Sequence, residues 1–387
     1  MKYDLIIVGG GLAGAALAVA LRRTSFRIAL VEHVVPARQA GWDQRIYAYS
    51  PASVHFLEEL GVWAHIDRAR LAPVDEIQVF GDAGGSLRFS AHQSGLAELA
   101  RIGESSLVHV ELWEGLKRQH NVALFCPAHP KELIHQADGV ALHLADGRVL
   151  NAAMVVGADG RDSWVRQKMG VAATVESYHQ KGVVANFSCG VSPRGTAWQW
   201  FREDGVLAWL PLAQAGMSMV WSANNALADE LMALDEEAFC ERVAQAGERR
   251  LGRLELLTPR AAFPLSLMRL AEVVGPRVAL IGDAAHAIHP LSGHGINLGF
   301  QDARVLAEEL AAVPSWQDPG DHAVLRRYAR RRAEEAFVLQ YATHGLNRLF
   351  GTDNPFIRVL RNAGLNLTAR LPVVTNMLVR YAANERP

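Results

Sequence analysis

The sequence predicts an α/β chain in which a nucleotide-binding unit is split by an inserted, mostly antiparallel β-sheet and followed by a helical tail. Three observations carry that expectation. A β-α-β pattern with a glycine-rich turn opens the chain. Short apolar strands ending in small-residue and aspartate pairs return near 155 and 280. Between them lies a run of strands rich in Trp, Phe and Val.

Asp4-Leu-Ile-Ile-Val8 reads as a fully buried strand, Gly9 to Gly14 as a turn, and Ala15 to Arg23 as an Ala/Leu-rich helix. Residues 27–31 form a second strand closed by Glu32, giving a β-α-β unit of the expected size. Strands follow around 77–80 and 87–89, then a helix from Leu107 to Gln119. A hairpin joins 139–144 to 148–151 through Ala145-Asp146-Gly147, and Met154-Val-Val156 is expected as a separate core strand. Successive antiparallel strands are expected at 182–188, 196–201, 206–211 and 217–223. A helix runs from Asp235 to Gln245, a buried strand from Arg277 to Ile281, and a helix from Leu298 to Ala312. From 323 onward almost everything is helical. The division is therefore 1–72, 100–175 and 270–335 for the nucleotide-binding domain, 73–99 and 176–269 for the sheet domain, and 336–387 for the helical region.

The 387 residues are 50% apolar, enough for a sizeable core. A net charge of −1 gives no bulk attraction to nucleic acid. Cys126, Cys189 and Cys240 are isolated, which points to neither a disulfide framework nor a zinc site. His286 and His289 have no carboxylate at ligand spacing, so no metal is expected. The apolar run from Leu5 to Leu21 is interrupted by glycines and lacks a basic leader beyond Lys2. No uninterrupted apolar run of ~20 residues occurs. The expectation is a cytoplasmic protein, soluble or peripheral on the inner face of a membrane.

Gly9, Gly11 and Gly14 fit G-x-G-x-x-G in its strand–turn–helix setting, the Rossmann-type arrangement. Gly9 permits the tight turn, Gly11 lets a pyrophosphate approach the backbone, and Gly14 allows close helix–strand packing. The helix N-terminus then faces the phosphates. Glu32 can accept hydrogen bonds from the ribose hydroxyls of an adenosine, and its charge disfavours a 2′-phosphate. FAD and NAD share this fingerprint. A second signal is Arg277-Val-Ala-Leu-Ile-Gly-Asp-Ala-Ala-His286, where Gly282 and Asp283 end a strand and Asp283 can accept from ribitol hydroxyls. Pro290-Leu-Ser-Gly-His-Gly-Ile-Asn297 follows, with Gly293 and Gly295 allowing backbone approach and a helix starting near Asn297. Its positive end, aimed at the flavin N1–C2=O edge, would stabilise an anionic reduced flavin.

Gly282-Asp-Ala-Ala-His with Pro290 resembles the GD motif of the single-component flavoprotein aromatic hydroxylases, whose FAD domain is glutathione-reductase-like. Gly157-Ala-Asp-Gly160 with Arg161, Ser163 and Arg166 resembles their DG motif. The resemblance is closer to the ubiquinone-biosynthesis hydroxylases. It is carried by Arg45-Ile-Tyr-Ala-Tyr-Ser50, Ala197-Trp-Gln-Trp-Phe201, Gly205 to Leu212, Trp221, Tyr328-Ala-Arg-Arg-Arg332 and Arg361-Asn-Ala-Gly-Leu365, and spans residues 3 to about 380. The chain departs from the family pattern at His109, at Ala48-Tyr49 and at His294.

The resemblance implies an FAD monooxygenase with NAD(P)H as transient donor. It would hydroxylate a polyprenylated phenol or quinol through a flavin C4a-hydroperoxide formed with dioxygen. It assigns Asp159 to the pyrophosphate region and Arg45 to holding FAD. Pro290, Gly293, His294 and Gly295 would face the isoalloxazine. Phe201, Leu210, Pro211 and Trp221 would line the ring pocket, although core packing explains each equally well. A same-fold hydroxylase of another aromatic compound, a flavin-dependent prenyl reductase and a non-enzymatic flavin-binding subunit stay open. Halogenation is disfavoured. Trp198-Gln-Trp200 is followed by Arg202-Glu203 rather than Ile-Pro, and no lysine lies between Lys2 and Lys117. The apolar, arginine-punctuated stretch 355–381 reads either as a surface for a membrane or lipid-carrying partner, such as a ubiquinone-biosynthesis complex, or as helices packed on the protein's own core.

Overall fold

A computed structural model describes residues 2–286, 295–352 and 354–383. The first sheet is built around Lys2–Val8. It pairs in parallel with Ile28–Val31 on one side and Val149–Gly157 on the other. Val122–Phe125 and Val278–Leu280 extend it, also in parallel. Such a strand must be covered on both faces, which is why its sequence is an unbroken apolar run. Leu5 and Ile7 pack under the helices Leu12–Ala20, Ser105–Lys117 and Gly295–Ala311. Ile6 and Val8 pack on the opposite side with Val140, Leu142 and Val165.

The second sheet runs in the order Leu254–Leu256, Ala173–Cys189, Gly216–Asn224, Gly205–Leu212, Thr196–Arg202, Glu76–Phe80, Ser86–Ser90. All of its pairings are antiparallel except that of Thr196–Arg202 with Glu76–Phe80. One face carries Phe187, Trp209, Met219 and Trp221 and is covered by the helices Asn225–Ala233 and Glu236–Ala246. A three-stranded sheet, in the order Ile46–Tyr49, Ala100–Glu104, Ala72–Val74, is interleaved in sequence with the two larger ones. The tail consists of the helices His322–Phe350, Pro355–Ala369 and Pro372–Ala383. The mixed α/β class and the helical tail are as the sequence predicts.

Three expectations change. The second hairpin arm and the core strand at 154–156 are one strand, Val149–Gly157. Its start pairs antiparallel with Gly139–Leu144 while it also runs parallel to Lys2–Val8. The strand expected at 182–188 is the end of a much longer one, Ala173–Cys189. Its register shifts between Ser177 and Gln180, where His179 has φ 54°. That first half is polar and exposed, so alternation alone hides it. Pro130–Gln136 and Ala261–Leu270 are strands that the sequence pattern does not announce.

Candidate active site

The opening turn is shaped for something to approach it. Gly9 has φ 102°, and a Cβ there would run into the carbonyl oxygen of Ala158. A Cβ on Gly14 would strike the carbonyl of Gly9. Gly11 differs, since nothing lies within 4 Å of its Cβ position. It begins the Leu12–Ala20 helix with no side-chain cap and no acidic residue in the first turn. The unsatisfied N–H groups and positive helix end therefore meet open space, the arrangement that suits a pyrophosphate. Beside them Glu32 is buried, with Oε2 accepting from Gly10 N at 2.6 Å and Oε1 from His33 N at 2.7 Å. Oε1 also accepts from Val34 N at 3.3 Å and pairs with the His33 ring, so the acceptor position left for a ribose hydroxyl is on Oε2.

The Gly282-Asp283 turn comes to the same place. Ile281 N donates to Gly157 O at 3.0 Å, which joins this turn to the Asp159 loop. Gly282 has φ 60°, and its Cβ position lies 3.2 Å from the Cβ of Ala13 and 3.9 Å from the Cα of Gly299. The first and last nucleotide-binding segments are thus in contact. Asp302, fully buried, accepts from Gly282 N at 2.9 Å and from Arg332 Nε at 2.7 Å. Tyr328 Oη donates to Leu280 O at 2.8 Å. The Tyr328–Arg332 segment therefore acts as a clamp behind the turn. His286 Nε2 stands 3.4 Å from Asp302, near enough for ion pairing but without hydrogen-bond geometry.

Asp159 does not point freely at a ligand. Its Oδ1 accepts from Ser163 Oγ at 2.5 Å and its Oδ2 from Val165 N at 3.0 Å, so it anchors the Trp164–Lys168 helix. Arg166 ties the two turns together, donating to Ala284 O at 3.0 Å and Arg161 O at 2.7 Å. Asp283 has exposed area, yet protein crowds around it, as in a broad recess. Burial raises its carboxyl above the ordinary range, and Arg161, His286 and Arg45 pull it back down. Arg45 is exposed beside this recess and has no ion-pair partner among the described residues.

Several supporting residues escape sequence reasoning. Glu104 is buried, accepts from Arg70 Nε and Nη2 at 2.7 Å each, and accepts from Asp43 N at 2.7 Å. Asp43 accepts from Arg45 N at 3.0 Å and Ser106 N at 2.9 Å, and its carbonyl takes Asn186 Nδ2 at 2.7 Å. This chain fixes the Arg45 loop and joins the three-stranded sheet to the second sheet. Asn186, an amide in the otherwise apolar stretch Val183 to Phe187, is the one sequence signal for it. Tyr47 also borders the recess. Burial pushes its phenol up to about 12, with Asp283 adding to the rise and Arg45 opposing it, so it stays a neutral hydroxyl. His109 Nε2 bonds Gly10 O at 2.7 Å, which places this departure from the family pattern directly on the glycine turn.

The remaining predicted site residues separate. Asn297 spends its amide on the protein: Nδ2 donates to Ala48 O at 2.8 Å and Oδ1 accepts from Ser50 N at 3.0 Å. Gly295 begins the Gly295–Ala311 helix with nothing within 4 Å of its Cβ position. Pro290, Gly293 and His294 lie outside the described residues. Trp221 is fully buried on the helix-covered face of the second sheet, and Pro211 shares that face through its pairing with Met217. Both are corrected from pocket lining to the sheet's back, because the two-residue period puts them there with Trp209. Leu210 is on the front, against Ala72, Val74 and Ile102. Phe201 is also on the front, stacked on Phe350 with ring centres 3.9 Å apart.

The glycine turn, Glu32 bonded to Gly10 and the Gly282-Asp283 turn packed on Ala13 come together as in an FAD-type dinucleotide-binding flavoprotein. Residues 2–339 match the family described as FAD binding domain. The chain is 33% identical over 385 residues to 3-demethoxyubiquinol 3-hydroxylase of Escherichia coli, covering 98% of each. It is 31% identical to the mitochondrial ubiquinone biosynthesis monooxygenase COQ6 of Drosophila melanogaster, covering 99% of this chain and 90% of that protein. The fold matches p-nitrophenol 4-monooxygenase PnpA of Pseudomonas putida with a TM-score of 0.81 over 100% of both chains, at 20% identity. The chain belongs to the FAD-dependent monooxygenases, in the family of the ubiquinone-biosynthesis hydroxylases.

Proposed function

We propose that this protein hydroxylates the aromatic ring of a polyprenylated phenol or quinol in ubiquinone biosynthesis. The observation that carries this reading is the packing of Gly282 against Ala13, which brings the Asp283 and Arg45 side of the recess to the open glycine turn. Full-length similarity to hydroxylases of that pathway supports the substrate class. The balance is one ring C–H, one O2, one NAD(P)H and one proton giving C–OH, water and NAD(P)+. Bound FAD would supply the electron transfer and oxygen activation.

The chain's own residues bind and orient. Gly11 and the Leu12–Ala20 helix end take the pyrophosphate, and Glu32 takes the ribose. Asp283 and Arg45 flank the middle of the cofactor. Gly9, Gly14, Gly282, Asp159 and Asn297 hold these parts in place. The helix starting at Gly295 offsets negative charge on the ring system. Leu210 and Phe201 lie on the face of the second sheet that closes the ring pocket against water. A substrate drawn from a bilayer places the work at the membrane surface, on its inner face.

The test supplies the FAD-loaded protein with NADH or NADPH and a polyprenylated phenol. Substrate-dependent oxidation of the nicotinamide is expected, with equal dioxygen uptake and a product heavier by one oxygen atom. Nicotinamide oxidation with no oxygen entering the product overturns the proposal.

A further inference from the structure

The Pro355–Ala369 helix is inside out, and the helices on either side of it leave apolar side chains bare beside it. In the Pro355–Ala369 helix Arg361 is 5% and Asn362 4% exposed, whereas Phe356 is 72%, Val359 67% and Leu367 61% exposed. The buried polar groups hold the turn between Glu76–Phe80 and Ser86–Ser90. Arg361 pairs with Asp82 and donates to Leu349 O and Thr352 O. Asn362 Oδ1 accepts from Ala83 N at 3.1 Å and Gly85 N at 3.0 Å. The neighbours share this only in part, since His322–Phe350 also buries Val324, Leu325, Tyr328, Ala336 and Phe350, and Pro372–Ala383 buries Val379. In His322–Phe350, Gln340 is buried and donates to Met268 O at 3.1 Å, while Phe337 and Tyr341 are exposed. In Pro372–Ala383, Thr375 is buried and Asn376 bonds Ser94 Oγ at 3.1 Å, while Met377 and Leu378 are exposed. A surface helix of a globular protein normally does the reverse.

We propose that these helices seat the protein on an anionic phospholipid surface. Charge selects that occupant. Between Asn354 and Ala383 there are arginines at 358, 361, 370 and 380 and no acidic residue. Arg358 and Arg361 are used internally on Asp82. Arg370 and Arg380 are exposed with no acid paired to them among the described residues. Outward apolar side chains flanked by free arginines match an interfacial helix lying at the headgroup level. A second copy meeting this face by two-fold symmetry would bring arginine against arginine with no acid to relieve it. Insertion across the bilayer is not the mode, since no described helix is long and apolar enough to cross a membrane. The inference deepens the membrane-surface part of the proposed function. Vesicle binding needs no substrate, so its failure is separable from failure of the hydroxylation reading.

The experiment is flotation of the full FAD-loaded chain with vesicles of phosphatidylcholine alone or mixed with phosphatidylglycerol. The protein is expected to float with the mixed vesicles and to release as salt is raised. The double variant Val359→Asp/Leu367→Asp is expected to lose at least about tenfold in bound fraction, with its flavin spectrum unchanged because both side chains face outward. Arg370→Glu/Arg380→Glu is expected to weaken binding to the mixed vesicles. Three results overturn the proposal: wild type that stays down with both vesicles, an aspartate variant that floats like wild type, or a wild-type dimer that the aspartate variant converts to monomer.

Discussion

The Leu12–Ala20 helix and the Pro355–Ala369 helix solve opposite problems. The first buries nearly everything it has, including Ala15, Ala16, Leu17 and Ala18, and leaves its N-terminus open. Its position is set by close backbone approach, so small residues decide it. The second buries an arginine and an asparagine and leaves its apolar side bare. Its position is set by directional bonds to one turn, which fix orientation while contributing little apolar burial. One helix leaves its end open, the other its apolar side.

The largest expected effect tests the first half of that contrast. Gly14→Val places a branched side chain against the carbonyl of Gly9. The overpacking costs about 3 kcal/mol or more, and the purified protein should be colourless. Asp283→Ala should leave the fold intact and also reduce bound FAD, measured by the absorbance ratio of flavin to protein. Retention of full flavin by both variants would show that the two turns do not form the cofactor site.

Next in size is the second half. Asp82→Ala removes the partner of buried Arg361 and leaves that guanidinium unpaired. Burial alone would raise the Asp82 carboxyl, but its bonds to Arg361 and Asn362 bring it below its ordinary value. Losing one partner of such a pair costs about 3 kcal/mol locally. The tail should become sensitive to protease while FAD binding is kept. If flavin is lost in parallel, the tail is part of the nucleotide-binding core and the contrast fails.

How much of this was legible in the sequence follows from which interactions are local. Gly9 and Gly282 could be read because their turns impose a positive φ, and Gly14 because a Cβ there would meet the Gly9 carbonyl; the motifs carry these constraints in nearby residues. The pairs Glu104–Arg70 and Asp302–Arg332 could not, because their members come from separate segments and neither has a local pattern. Trp209 and Trp221 show a different limit. Alternation says that they share a face, but which face the helices cover is decided by Leu227, Leu231 and Phe239 folding back across the sheet. The inverted tail was visible only as apolar residues with arginines. Whether the apolar side faced in or out depended on Asp82, far away in the chain.

The smallest expected effect sharpens the comparison, because it concerns a polar group turned inward in the nucleotide-binding half. His109, on the Ser105–Lys117 helix, bonds the Gly10 carbonyl. Burial lowers its pKa below the usual 6.5. The Gly10 bond and Glu32 oppose that shift, and Arg45 reinforces it. A histidine with a depressed folded pKa takes up protons more readily when unfolded, so stability rises with pH through this range. Its contribution is complete above about 6.5 and is lost as pH falls toward the lower folded value. His109→Asn should remove that acid-side slope from the thermal midpoint of the FAD-loaded protein, at a cost of about 1 kcal/mol near neutral pH for the altered bond. An unchanged slope would mean that another group governs the acid limb, and that the glycine turn does not depend on the proton held between His109 and Gly10.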